Sequence, residues 1–286
     1  MKIINFIGCG LVGKTLGRLI VKHRLGTIGG IINKSPKNSE FAVKFIGAGS
    51  SCMNLSQLPR ADIYFITTPD DIIETVCNQL VEQKNFNSKS IVIHCSGALT
   101  TAVLQKAKAK GCIVISVHPI KHFADPINCI KTFEGTYCTF EGNKKAIPII
   151  EYLFGTMGGI LIPINKEQKP LYHAACVLAV NLVSLHYSAV ECFRLSGLDN
   201  KTASNIVSLL MQETLLSLQK SQNYTNLLAG PFKRGDINVI KSHLLSLDKA
   251  PLLKSIYSAL GQVAAKLSNH SATFKGRLIT CLKKKY

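Results

Sequence analysis

Gly8, Gly10 and Gly13 follow a short apolar run, residues 1–7, and spell G-x-G-x-x-G ahead of a helical pattern. Glycines at this spacing let the backbone approach a pyrophosphate, and the N–H groups at a helix start hold its charge. The same stretch, with Lys14 and Thr15, also spells the phosphate loop G-x-x-x-x-G-K-T. A phosphate-loop enzyme needs an acid to hold Mg²⁺ at the end of a later apolar strand. The best such strand, residues 62–69, ends instead in Thr67-Thr68-Pro69, and Asp70 and Asp71 read as first-turn acids of a new helix. The dinucleotide reading needs a second strand about 20 residues on, and residues 27–33 supply it. The predicted cofactor contacts are therefore Gly8, Gly10, Leu11, Val12 and Gly13 at the turn, with Thr67, Thr68 and Pro69 at a neighbouring strand end.

The end of the second strand indicates which dinucleotide. An acid there would bind the ribose hydroxyls of NAD and repel a 2′-phosphate. This chain has Asn33-Lys34-Ser35-Pro36-Lys37, with no acid before Glu40. Asn33 and Ser35 can donate hydrogen bonds and Lys34 can neutralise a phosphate, so NADP is expected rather than NAD.

Candidates for chemistry fall at three strand ends: Thr67-Thr68-Pro69-Asp70, His94-Cys95-Ser96-Gly97 and His118-Pro119-Ile120-Lys121-His122. In an open α/β sheet, ligands bind outside these carboxyl ends. Ser96 could donate to substrate as well as contact cofactor, and His118 is a candidate proton donor because its ordinary pKa lies near working pH. No metal site is expected: Pro119 breaks the helix that His118 and His122 would need to share, and His94 and Cys95 would point to opposite faces of a strand. Further along, Lys169, His173 and Asn181 recur on one face of a helical stretch. Arg234, between Gly230 and Gly235, could clamp an anion or close a tight turn by pairing with Asp236.

These residues must be positioned by an alternating series of elements. Strand-like runs cover residues 2–7, 27–33, 63–67, 90–94 and 112–117, with helical patterns between them at 11–25, 40–46, 71–82 and 101–110. Further strands are predicted at 135–141 and 159–164, with a helix at 144–154. Such alternation predicts an α/β fold, a Rossmann-type mostly parallel sheet with helices on both faces. Strand signals vanish after Lys166, and long helical periods follow at 169–196, 200–217, 238–245 and 251–268. The predicted domains are a dinucleotide-binding one over 1–164 and an all-α one over 165–286.

With 47% hydrophobic and 17% charged residues among 286, the chain is globular and not disordered. Its ten cysteines form no C-x-x-C pair and read as small core residues in a reducing cytoplasm. Residues 171–190 are apolar but carry His173, Asn181 and His186, so they read as a helix buried in protein and not as a membrane span. Buried apolar surface of that extent in a small helical domain points to a homodimer. The net charge of +18 raises nucleic-acid binding, but the 34 basic residues are dispersed and interleave with no aromatic platform. The one dense run, Lys283-Lys284-Lys285, reads as a solvated tail.

The stretches 8–13, Thr68-Pro69-Asp70-Asp71-Ile72-Ile73, 94–99, Ser116-Val117-His118-Pro119, 171–175 with Asn181, and Gly230-Pro231 through Gly235-Asp236 together resemble a bacterial family. Its members join a Rossmann-like domain to domain of unknown function 2520. That family is similar to the 6-phosphogluconate and 3-hydroxyacid dehydrogenases and the pyrroline-carboxylate reductases. The resemblance implies an NADP-dependent oxidoreductase acting on a small, anionic carbonyl or imine compound in a cleft between the domains. In the 3-hydroxyacid dehydrogenases a catalytic lysine precedes an asparagine by one helical turn; here that position is Val177, leaving His173 or Lys169 as substitutes. The competing readings are a non-catalytic NADP(H) sensor or scaffold and a basic nucleic-acid-binding protein.

Overall fold

The computed structural model describes residues 1–221 and 223–283; Lys284 and Lys285 of the basic run lie outside the described residues. Contacts divide the chain into two units, Met1–Val180 and Asn181–Tyr286. The first alternates β1 (Ile3–Ile7), α1 (Leu11–Lys22), β2 (Thr27–Ile32), α2 (Pro36–Ile46), β3 (Ser50–Cys52), β4 (Ile63–Ile66), α3 (Asp70–Leu80), β5 (Ile91–His94), α4 (Gln105–Ala109) and β6 (Ile113–Pro119). It continues with α5 (Pro126–Lys131), β7 (Tyr137–Gly142), α6 (Ile147–Ile150), β8 (Ile160–Pro163) and α7 (Lys169–Val180). The strands form one sheet in the order β3-β2-β1-β4-β5-β6-β7-β8. β1 to β6 run parallel, and β7 and β8 run opposite to them. The mostly parallel Rossmann-type sheet predicted from the alternation is the observed fold. The strand missed in the sequence, β3, is only three residues long and too short to show a period.

Strand side chains alternate between two cores, which is why these strands read as continuous apolar runs. Ile4, Phe6, Ile63 and Phe65 pack with Leu16, Leu19 and Ile20 of α1 on one face. Tyr64, Ile66 and Val92 pack with Ile73, Cys77 and Leu80 of α3 on the other. The Phe6 and Phe65 rings stack 5.0 Å apart, locking β1 to β4. The chain leaves β1 toward β2 and β3, then returns to β4 on the opposite side of β1. This reversal opens a crevice at the carboxyl ends of β1 and β4, where ligands bind in such sheets.

The second unit holds α8 (Leu182–Leu195), α9 (Asn200–Lys220), α10 (Tyr224–Leu227), α11 (Gly230–Arg234), α12 (Ile237–Ser246), α13 (Pro251–Leu267) and α14 (Ala272–Lys283). Its cores are small: Val190, Ala203 and Val207 in one, and Ile240, Leu244, Ala265, Leu278, Cys281 and Leu282 in the other. Residues 171–190, expected as one buried central helix, are two helices broken at Asn181, and both are largely exposed. Leu171 is 77% exposed and Leu178 73%. The segment Lys166–Leu195 is long and apolar enough to cross a membrane by length and composition. Its first turns are nevertheless tied to the sheet by Lys169 and Tyr172. For the same reason the contact boundary falls at Val180, while strand signals in the sequence stop near Lys166.

Asn5 is fully buried on the face of β1 opposite Ile4 and Phe6. Asn5 accepts from Gly30 N through Oδ1 at 2.8 Å and donates through Nδ2 to Pro59 O at 2.6 Å. It serves β2 where the β1–β2 register slips between Ile4 and Phe6. Asn5→Ala would leave the buried Gly30 N–H without its acceptor and the Pro59 carbonyl without its donor. It should cost about 1–3 kcal/mol in urea-induced unfolding; an unchanged midpoint would show that the groups find other partners.

Candidate active site

The turn after β1 has the geometry its glycines predict. Gly8 adopts φ +78°, and a Cβ there would come within 2.7 Å of the Thr68 backbone. A Cβ on Gly13 would meet Thr67 Oγ1 at 2.6 Å, so this glycine lets α1 lie close to the end of β4. Thr67 Oγ1 in turn donates to Gly8 O at 2.9 Å. Gly10 differs: it is exposed, and the nearest atom to an added Cβ is 4.0 Å away. Gly10 caps α1 without a side-chain bond, and the first intrahelical donor is Lys14 N, bonded to Gly10 O. The N–H groups of Leu11, Val12 and Gly13 thus face outward at the positive end of the helix dipole. Thr68 Oγ1, buried beside this turn, has no hydrogen-bond partner. Open backbone over Gly10, three helix-start donors and an unpaired hydroxyl fit a bound pyrophosphate.

At the end of β2, Ser35 caps α2 by accepting from Asn38 N at 3.3 Å. Asn33 donates through Nδ2 to Asn38 O at 3.1 Å, and Lys34 is exposed. The chain therefore presents a helix start flanked by lysine and free of acids where a dinucleotide ribose would lie. Lys37 rests over the Phe41 ring, 5.9 Å from its centroid.

The ends of β5, β6 and β7 converge on α7. Lys169 is buried to 1% exposure. Its Nζ donates to Ser116 Oγ at 2.6 Å and to Ser96 O at 3.1 Å, and lies 3.8 Å from Glu141 Oε1. Glu141 is held by Thr101, through its N–H at 2.7 Å and its hydroxyl at 3.0 Å. Burial lowers the Lys169 pKa to about 8, against the pull of Glu141. Two hydrogen bonds and one ion pair thus tie this ammonium to three strands, and Lys169 organises their ends. Ser96 is likewise committed: its hydroxyl donates to Asp70 Oδ2 at 2.8 Å and accepts from Ala98 N and Leu99 N. In this arrangement its single hydrogen points to Asp70.

Lys169, Tyr172 and His173 share one face of α7 at i, i+3 and i+4. The anchored lysine therefore delivers the other two to His118 on β6. His118 Nδ1 lies 2.7 Å from Tyr172 OH, which also accepts from Thr139 Oγ1 at 2.9 Å. The His118 and His173 rings meet edge-to-face with centroids 5.9 Å apart. Gly97 makes room for both: a Cβ there would strike His173 Cδ2 at 2.6 Å and His118 Cε1 at 2.8 Å. Burial, then the nearness of His173 and Lys169, lowers the His118 pKa to about 4. Burial and Lys169 hold His94 lower still, at about 3, where its Nδ1 accepts from Ser96 N.

The structure thus brings together His118, His173, Lys169 and Ser96 in the first unit. Asn181 and Arg234 belong to the second. Asn181 is exposed, stands between α7 and α8, and opens the second unit. Arg234 Nε donates to Asp236 Oδ2 at 2.7 Å, the turn-closing pair that the sequence offered. Sequence reasoning missed Glu141, Ser116, Thr139 and the role of Tyr172. An acid closing an apolar strand was the available signal for Glu141.

Residues 2–119 match the Rossmann-like domain model, and residues 136–264 match domain of unknown function 2520. The chain belongs to the proteins that join these two domains. It is similar to protein TM1727 of Thermotoga maritima, at 25% identity and TM-score 0.67 over 92% of this chain and 98% of that one. A Bacteroides fragilis protein provisionally named an NADP oxidoreductase matches at 17% identity and TM-score 0.74, covering 93% and 97%. A Plasmodium falciparum pyrroline carboxylate reductase, solved with NADP bound, matches at 17% and 0.60, covering 99% and 98%. No curated protein matches this chain.

His94 and His118 both have folded pKa values below the ordinary 6.5, so the unfolded chain binds protons that the native one refuses. Their contribution is fully present above pH 6.5 and is lost as pH falls toward 4. Urea unfolding at pH 7 and pH 4.5 should show this loss, and His118→Gln should reduce it to the share that His94 contributes. An equal pH dependence in wild type and variant would refute the buried neutral state of His118.

Proposed function

We propose that the protein is a cytoplasmic NADP-dependent oxidoreductase acting on a small, anionic carbonyl or imine compound. The observation that carries this reading is the glycine turn of β1 and α1, with Gly10 left open and the N–H groups of Leu11, Val12 and Gly13 free for a pyrophosphate. The acid-free end of β2, with Lys34 beside the start of α2, favours the 2′-phosphate of NADP over the bare ribose of NAD. NADP, when bound, supplies or accepts a hydride. The protein's part is to hold the substrate and manage the proton. His118 and His173, side by side above Gly97 at the carboxyl ends of the strands, are the groups to meet the substrate. The Lys169 ammonium beneath them favours an anion through its positive potential without touching it.

Gly10 separates binding from folding, because nothing crowds its α-carbon. Gly10→Val should leave the protein folded, at a cost of about 1 kcal/mol for the poorer helix cap, but weaken NADPH binding by about 10-fold or more, equivalent to about 1.4 kcal/mol. The rise in NADPH fluorescence on titration measures it. Wild-type protein that gives no rise would overturn the reading, and a variant that binds as tightly would remove the turn from it.

We also propose that the helical unit pairs with a second copy of this chain. Leu182, Val183, Leu215 and Leu216 line one groove between α8 and α9, and Val183 is 68% exposed. Apolar surface of this extent is unusual on a monomer. Light scattering should give twice the mass of one chain, and Val183→Glu with Leu216→Glu should halve it; a wild type of single-chain mass would refute the pairing.

A further inference from the structure

Two histidines at one site raise the question of which of them exchanges a proton, and the hydrogen bonds around His118 answer it. Thr139 Oγ1 donates to Tyr172 OH, occupying a lone pair of the phenol and leaving the phenol's own hydrogen to point elsewhere. His118 Nδ1, at 2.7 Å, is the strongest acceptor in reach; Cys176, one turn along α7, offers only a weakly accepting sulfur. Tyr172 therefore donates to Nδ1. A neutral imidazole that accepts at Nδ1 carries its hydrogen on Nε2. No protein group among the described residues hydrogen-bonds that Nε2.

Resting on the oxidoreductase reading above, we propose that Tyr172, backed by Thr139, is a positioning residue that fixes His118 as a neutral Nε2–H donor to an oxygen or unprotonated nitrogen of the substrate. The charged and titratable groups packed against His118 all act in the same direction. Lys169 and His173 come from α7, and both disfavour a second proton on the ring. Tyr172, from the same helix, resists ionisation because it is buried, so it remains a donor. β7 contributes the uncharged Thr139, and the turn after β5 contributes Gly97, which has no side chain.

The assignment divides the labour at the site. A neutral imidazole gives up its remaining proton far too reluctantly to act as an acid, so His118 orients and polarises, and His173 is left to exchange the proton. It also selects substrate. A carbonyl or carboxylate oxygen can accept from Nε2–H, whereas a protonated imine has no lone pair at nitrogen to offer and would be rejected.

The test is nitrogen NMR of the full-length protein labelled with ¹⁵N-histidine, at pH 7 and without cofactor. His118 should show a pyridine-type Nδ1 and a pyrrole-type Nε2. Tyr172→Phe, which keeps the ring and removes only the donor, should shift Nδ1 toward the value of a tautomer mixture. Thr139→Val, which lets the phenol turn, should shift it less in the same direction. A protonated Nδ1 in the wild type, or an Nδ1 line unmoved by Tyr172→Phe, would overturn the proposal. Because the spectrum needs neither substrate nor NADPH, a failed cofactor titration would sink the oxidoreductase reading while leaving this assignment standing, and the reverse also holds.

Discussion

The arrangement at the carboxyl ends of the sheet depends on one buried cation. Removing the Lys169 ammonium from water is costly unless its donors are satisfied and a counter-charge lies near. Residues of three successive strands offset that cost: the Ser96 carbonyl after β5 and the Ser116 hydroxyl on β6 accept hydrogen bonds, and the Glu141 carboxylate on β7 is the counter-charge. Because β7 runs opposite to β6, Glu141 stands beside Ser116 in the register of the two strands. α7 can begin in only one place if those bonds are to form. Tyr172 and His173, three and four residues on, then come to His118 without further adjustment.

The glycine turn rests on a separate constraint. Gly8 and Gly13 are required by packing against Thr68 and Thr67, so either would be kept for the fold alone. Gly10 has no such duty. A residue without a side chain, at a helix start, with free space over it, serves the approach of something from outside. This distinction connects the sequence motif to a ligand more firmly than the spacing of three glycines does.

Much of the fold was legible because the strands are buried on both faces and the helices between them carry one apolar stripe. The sheet, the strand ends and the glycine turn all follow from such local patterns. The fates of Lys169 and Ser96 did not, because both depend on partners 20 to 73 residues away, and a polar residue committed to the interior looks the same in sequence as one facing a ligand. Residues 171–190 misled for a related reason: apolar composition reports a preference for leaving water, not what provides the cover. The break at Asn181 left no trace in the periodicity, as apolar residues continue on both sides of it.

The central claim is that a cofactor held at the glycine turn reaches the histidine pair with its reactive end. Histidine-labelled protein titrated with NADP⁺ tests it by NMR, since the protein has eight histidines spread over both units. The account predicts that saturating NADP⁺ shifts the resonances of His118 and His173 and leaves those of His243 and His270 in place. Binding that moves neither His118 nor His173 would contradict it.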